Sequence, residues 1–284
     1  MGFFDRISRG WGFIKEAFAM AKEERVLLKP SLYSVFAGIA YWVVWVLIFV
    51  GAEVDFDSGA GKAMGAVATF GSFAIFYFFM GMTVNMVDVH VKGGKPTLAE
   101  AYIDAKQNFG AILFLALIST LVELIAKAAR RSANEEGGAA AIIVSILASI
   151  IESIWTMMAF LLLPAIIIED ASLGDSLRRV RDLSKGNLMQ IAIGDVGVRM
   201  VTNLIGLLVM FLLFGVFYVS FGVMGGTAGT IVGVTIGGTI LSLFAAFSSY
   251  LRMAYYTCLY IWAADCADKG PQAAAPLPLA RVLR

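Results

Sequence analysis

The stretch Leu161–Asn187, LLLPAIIIEDASLGDSLRRVRDLSKGN, passes within a few residues from an uncharged apolar run to a dense set of charges. Extended back to Ala139, the apolar part is long enough to cross a hydrocarbon core of ~30 Å, which takes ~20 residues of helix. Glu169 and Asp170 mark its end. Ser172-Leu-Gly-Asp175 then reads as a helix start, in which the hydroxyl accepts from the backbone amide three residues on. Beyond this cap Leu173, Leu177, Val180 and Leu183 recur at helical spacing, while Asp175, Arg178, Arg179, Asp182 and Lys185 fill the other face. The stretch therefore describes a span leaving a membrane and a helix lying along its surface. A divalent cation at Glu169 and Asp170 is the weaker reading, because two neighbouring carboxylates supply too few oxygens. Just ahead of a helix N-terminus they suit its dipole instead.

The rest of the chain extends this reading. Of its 284 residues 60% are hydrophobic and 15% charged, and a mean hydropathy of +0.82 is beyond that of a soluble domain. The expected fold is all-α: a polytopic membrane protein with six spans, near 31–51, 64–90, 108–127, 139–168, 188–223 and 230–264. The divisions are an N-terminal amphipathic helix over 1–30, a membrane domain over 31–268 with interfacial helices near 97–107 and 172–185, and a proline-rich tail over 269–284 read as a mobile or extended arm. The first span begins too far into the chain for an ordinary signal peptide, and Arg6 stands where a myristoylation motif wants Ser or Thr.

Basic residues give an orientation. The N-terminal segment has six, the loop after the second span three, the loop after the fourth span four and the tail three, so sixteen of the 22 fall on one side. Lys62, Lys127, Arg130 and Arg131 fall on the other, and Arg199 and Arg252 within spans. The positive-inside rule then places both termini in the cytoplasm, in the inner membrane of a cell. A net charge of +1 with no basic, aromatic-rich run argues against nucleic acid. Cys258 and Cys266, with the single His90, form neither a disulfide framework nor a metal set, and neither a P-loop nor a dinucleotide fingerprint occurs. No cofactor is expected.

The opening stretch has a counterpart in KPTLAEAYIDAKQNFGAIL, Lys95–Leu113. Thr97-Leu-Ala-Glu100 is a capping box, followed by Leu98, Ala101, Tyr102 and Ala105 at helical spacing and by Asn108 where a span begins. The N-terminal segment follows the same plan, with a stripe of Phe4, Ile7, Trp11, Ile14 and Phe18 ahead of the first span. Three tandem copies of a surface helix followed by a membrane hairpin result.

Charges inside spans are the sharpest functional pointers in such a chain, since unpaired burial is costly. Glu123, Glu152, Asp195, Arg199 and Arg252 qualify, Glu152 being the deepest; Asp195 and Arg199 are four apart on one helix face and can pair. The arginines either snorkel at the cytoplasmic boundary, the favoured reading, or turn inward to meet Glu152. Arg178, Arg179, Arg181 and Lys185 form a candidate face for anionic lipid, which also serves plain topology. Gly225, Gly229, Gly233 and Gly237 form a four-residue glycine row suited to close helix approach, within the chain or between subunits.

The run LPAIIIEDASLGDSLRR and the last span's YLRMAYYTCLYIWA resemble a group of uncharacterised six-span membrane proteins of bacteria and archaea. The layout is also similar to the membrane domain attached to some glycerophosphodiester phosphodiesterases, whose catalytic domain has no counterpart here. The resemblance implies topology and inner-membrane residence and carries no catalytic residue. The first functional expectation is a non-enzymatic scaffold, assembly or membrane-organising component, in contact with the bilayer, that self-associates or joins another membrane protein. The alternative is a small transporter or channel whose pathway passes Glu152, Arg199 and Arg252. A lipid head-group enzyme ranks last, since no convergent acid, base and metal set is visible.

Overall fold

The computed structural model describes the backbone of residues 3–270 and 273–283, and their side chains except those of 3–7, 9, 136, 140, 184–200 and 281–283. The described residues form helices without strands: α1 (Phe3–Glu23), a 3-10 turn (Arg25–Leu28), α2 (Lys29–Gly51), α3 (Gly59–Val91), α4 (Leu98–Gln107), α5 (Phe109–Glu136), α6 (Gly138–Ile168), α7 (Leu173–Met224), α8 (Gly226–Lys269) and α9 (Leu277–Leu283). Six of these segments are long and apolar enough to cross a membrane: Arg25–Gly51, Gly59–Val91, Phe109–Glu135, Ala141–Ile168, Val201–Met224 and Gly226–Lys269. The protein is an all-α, multi-pass membrane protein.

The spans pair as three antiparallel hairpins, α2 with α3, α5 with α6 and α7 with α8. Their turns lie at one end of the bundle, here the crown; α1, α4, α9 and the first half of α7 lie at the other, the base. Asp57, in the first crown turn, meets Arg131 of α5 at 2.9 Å, which ties two hairpins together there. The other two crown turns are minimal. Gly137 and Gly138, then Gly225 and Gly226, take positive φ, which lets one helix end and the next begin without a loop.

Helix length separates a membrane zone from a packed base. At ~1.5 Å per residue α7 is about 78 Å long and α8 about 66 Å, both well over the ~30 Å core. In the upper part of these helices large apolar side chains such as Leu208, Phe211, Phe214, Val223 and Ile231 are exposed, and only 6% of the apolar window of Val201–Met224 is buried within the chain. Lipid is the natural solvent for such a surface. The base is different. Phe13 and Ala17 of α1, Met86 and Val87 of α3, Leu162 to Ile167 of α6, and Tyr250, Tyr255, Tyr256 and Leu259 of α8 are almost wholly enclosed. Phe13 meets Tyr255 edge-on at 5.2 Å, and the Tyr250 hydroxyl donates to the Ala17 carbonyl across 3.1 Å, so an aromatic handle ends on a satisfied acceptor.

Several elements depart from the sequence expectation. The surface helix over 172–185 does not stop at Asn187: α7 continues through 186–187 into the fifth span. An isolated Gly such as Gly186 costs a helix only ~1 kcal/mol, less than breaking the hydrogen-bond ladder of a rod anchored at both ends. The buried side of α1 is Phe13, Ile14, Ala17, Met20 and Ala21; of the stripe read in sequence Ile14 is buried, Trp11 and Phe18 are about half exposed, and the side chains of Phe4 and Ile7 lie outside the described residues. Its alanines allow close packing against α7 and α8. The tail is not wholly extended, since α9 docks with Leu279 fully buried and Trp262 Nε1 donates to the Ala273 carbonyl at 3.3 Å. Pro278 is tolerated there because it sits in a first helical turn.

Both capping motifs form with one change. The Thr97 and Ser172 hydroxyls accept from the amides of Glu100 and Asp175 at 3.3 and 3.2 Å, but each also donates to the carboxylate of that residue, at 2.8 and 2.7 Å. Replacing Ser172 with Ala should cost about 1 kcal/mol of stability, the usual worth of an N-cap. Thermal melts of Ser172→Ala and Ser172→Asp check this, the second retaining wild-type stability because aspartate caps equally well.

Candidate functional site

Two polar constellations stand out, one within the spans and one at the base. The first is built around Glu152, 14 residues after Gly138 and 16 before Ile168, the ends of α6; at ~1.5 Å per residue this puts it near the middle of its helix. Its carboxylate is held by both arms of one guanidinium: Arg130 Nη1 donates to Oε2 at 2.9 Å, and Nη2 donates to Oε1. This bidentate fork is the strongest geometry available to a carboxylate. One turn and two turns before Arg130 on α5, Lys127 and Glu123 pair at 2.9 Å.

Glu152, Glu123 and Lys127 border a cavity of about 470 Å³ lined from α2, α3, α5, α6 and α8. Glu123, Lys127, Glu152 and Arg252 line it together with the hydroxyl groups of Thr69, Ser72, Ser119 and Thr156 and an aromatic set that includes Trp42, Phe76, Trp155 and Phe160. Arg252 lies over the Phe160 ring at 5.4 Å, a cation–π contact, and Phe160 stacks on Tyr256 at 5.3 Å. Pro164, one turn further along α6, has no amide hydrogen to give the Phe160 carbonyl.

One wall of the cavity is fixed by a closed hydrogen-bond account. Ser119 donates to the Leu115 carbonyl at 2.9 Å, so its oxygen is left to accept from Trp155 Nε1 and from the Tyr77 hydroxyl, each at 2.9 Å. Three helices, α3, α5 and α6, thereby meet on one oxygen atom.

Sequence reasoning found part of this site. Glu152, Glu123 and Arg252 come to one cavity. Glu152 is paired with Arg130, and Lys127 and Arg130, counted from sequence as outer-loop charges, belong to α5, which continues to Glu136. The signal was present: Glu123, Lys127 and Arg130 are spaced by four and three, which aligns them on one helix face. Asp195, Arg199 and Lys185 have side chains outside the described residues. Arg178 and Arg181 are exposed, whereas Arg179 turns back to Glu169 at 2.9 Å, so the basic face is narrower than its sequence implied. Gly229, Gly233 and Gly237 pack within the chain against α7. A Cβ on Gly229 would stand 2.6 Å from the Ser220 carbonyl oxygen, and one on Gly233 3.3 Å from Phe217. Gly225 is not part of that row; with φ of 63° it forms the crown turn.

The second constellation joins the surface elements at the base. Asn85 donates to Asp104 and Asn108 to Asp170, each at 2.8 Å, and both Arg179 and the Tyr260 hydroxyl reach Glu169. Asp170 holds a left-handed backbone at φ of 49°, a conformation that Asp tolerates better than bulkier residues do. Among the described residues no group of three or more His, Cys, Asp or Glu side chains is arranged to hold a metal ion. Burial, against the lowering effect of the Asn85 hydrogen bond and with Asp170 and Asp88 adding to it, lifts the Asp104 carboxyl above its usual range. An acid that binds its proton more tightly when folded favours folding below its folded-state pKa and opposes it as pH rises through that value. Asp104→Asn, which can still accept from Asn85, should therefore raise the melting temperature at neutral pH and gain little near pH ~3, below the ordinary Asp value of about 3.9, where the unfolded carboxyl also holds its proton. Melts at the two pH values check this; an equal gain at both would contradict it.

Fold and cavity together define a multi-pass α-helical membrane protein with a charged cavity among its spans. The chain belongs to DUF6159, a family of unknown function, whose model matches residues 63–270 and so includes every charge around Glu152. No curated protein matches the chain.

Proposed function

We propose that this protein is a non-enzymatic carrier that admits a polar or charged group into the cavity at Glu152. The observation that supports this reading is Glu152, near the middle of α6, paired with Arg130 and lining a cavity of about 470 Å³. Charges at such depth are costly, and they persist where water or a polar substrate reaches them. Hydroxyls, aromatic faces and charges of both signs converge on one hollow of the size usual for small-molecule sites. Proteoliposome uptake of labelled small ions and zwitterions tests it. At least one solute should accumulate, and Glu152→Gln should slow that uptake on the order of tenfold, the equivalent of one lost charge-assisted contact. Movement of every solute, membrane lipid included, at the rate of protein-free vesicles refutes the carrier.

The same proposal includes an orientation. Lys62 at the start of α3 and Lys127, Arg130 and Arg131 in the last part of α5 are the basic residues on the crown side. The bias toward the base supports cytoplasmic termini in an inner membrane. Arg178 and Arg181 would then face anionic head groups. The scaffold reading ranks second and rests on the small buried share of the Val201–Met224 window, 6%, which a second subunit could cover in place of lipid. The mass of the detergent-solubilised particle separates the two.

A further inference from the structure

Beside the charged cavity lies a second hollow of a different kind. Between α2, α3 and α8 an apolar groove of about 640 Å³ runs along Val35, Gly38, Ile39, Val43 and Leu47. Its walls include Trp42, Ser72 and Phe76, which also line the charged cavity, so the two hollows share a boundary. From Ser34 to Leu47 the groove follows α2 for about 20 Å at ~1.5 Å per residue, more than the ~15 Å that the chains of one leaflet occupy. An apolar channel of leaflet length thus opens beside a charged chamber within the spans.

We propose that groove and cavity form one site for a membrane phospholipid with a zwitterionic head group, an acyl chain lying along α2 and the head group standing against Glu123, Lys127 and Glu152, the last backed by Arg130. The proposal rests on the carrier reading above and names its substrate. Charge complementarity selects the head group. The acids and bases of α5 and α6 come as two opposed pairs, Lys127 with Glu123 and Arg130 with Glu152. A head group bearing both a cation and a phosphate can take the place of one member toward each partner, leaving no charge unmatched. A purely anionic head would draw the bases away and strand the carboxylates, which is costly at low dielectric. The apolar tail explains why the chamber adjoins an apolar groove, and the shared residues Trp42 and Ser72 place an aromatic face and a hydroxyl where the head and tail would join.

Gly38 provides a clean test. It lines the groove, and a Cβ there meets nothing within 4 Å, so a larger side chain can leave the helix at this point and Gly38→Trp directs its ring into the groove. Replacing a mid-helix glycine also removes a helix-weakening residue. In proteoliposomes carrying short-chain fluorescent phosphatidylcholine, transfer between leaflets is read by dithionite quenching. The wild-type protein should raise transfer at least about tenfold over protein-free vesicles, while Gly38→Trp and Glu152→Gln should each abolish most of that gain, the former with an unchanged melting temperature. Fluorescent phosphatidylglycerol should move several times more slowly than phosphatidylcholine. Wild-type transfer in Gly38→Trp, or equal movement of the two lipids, overturns the phospholipid site. If the small-solute uptake of the carrier is lost in Glu152→Gln yet intact in Gly38→Trp, with no lipid transfer by the wild type, the lipid is refuted and the carrier stands. If neither solute nor lipid moves, both fail.

Discussion

Replacing Arg130 with Met should destabilise the protein more than replacing both members of its pair. Arg130→Met strips the Glu152 carboxylate of the two hydrogen bonds that match it and leaves a charge stranded among spans, which is far more costly than the pair's net worth. Glu152→Gln in the same chain removes that charge, so the double variant should recover most of the loss. The comparison uses thermal melts of the four proteins in one detergent. Independent, additive losses would mean that the two side chains do not meet, and would remove the foundation of the proposed site. Because removing both partners restores stability without restoring the cavity's charges, the double variant should melt near wild type while remaining inactive in uptake.

The second large effect is expected at Gly229. Its face lies against the backbone of α7, where an added Cβ would come within 2.6 Å of the Ser220 carbonyl oxygen and 3.0 Å of Phe221 Cα. Backbone does not yield as a flexible side chain does, so Gly229→Leu must spread the α7–α8 hairpin, at a cost of about 1–3 kcal/mol or more for overpacking. Gly238→Leu on the same helix, where nothing lies within 4 Å, is the matched control and should be neutral. Particle mass should stay the same in both variants, since the glycine row is covered from within the chain. A change of particle mass with unaltered melting would instead place the row between subunits.

Local chemistry carried much of the fold into the sequence. Ser172 and Thr97 could be recognised as caps because a hydroxyl three residues before a carboxylate has few better uses, and the six spans because uninterrupted apolar length has one meaning in a helix. What depends on several helices at once was less legible. The pairing of Glu152 with Arg130 was not foreseen because α5 outlasts its apolar core by two turns, so that Lys127 and Arg130 belong to a helix instead of a loop. The α1 stripe was misread because Trp11 and Phe18 outweigh Ala17 and Ala21 in hydrophobicity, whereas close packing at the base favours the small residues. The short helix at Leu277–Leu283 had no periodic signal of its own and owes its place to Leu279 entering the base.

The central claim is that water and polar groups reach the cavity at Glu152 while the surrounding helix faces meet lipid. Thr156 lines the cavity one turn from Glu152, and Phe211 stands on the exposed apolar face of α7. In a chain whose Cys258 and Cys266 have been changed to Ala, Thr156→Cys and Phe211→Cys can be exposed in membranes to a charged, water-soluble maleimide. Thiolates form, and so react, only where water is present. Rapid modification of Thr156→Cys, with Phe211→Cys inert, is the result expected. If Thr156→Cys labels no faster than Phe211→Cys, the cavity is dry and the carrier account is wrong.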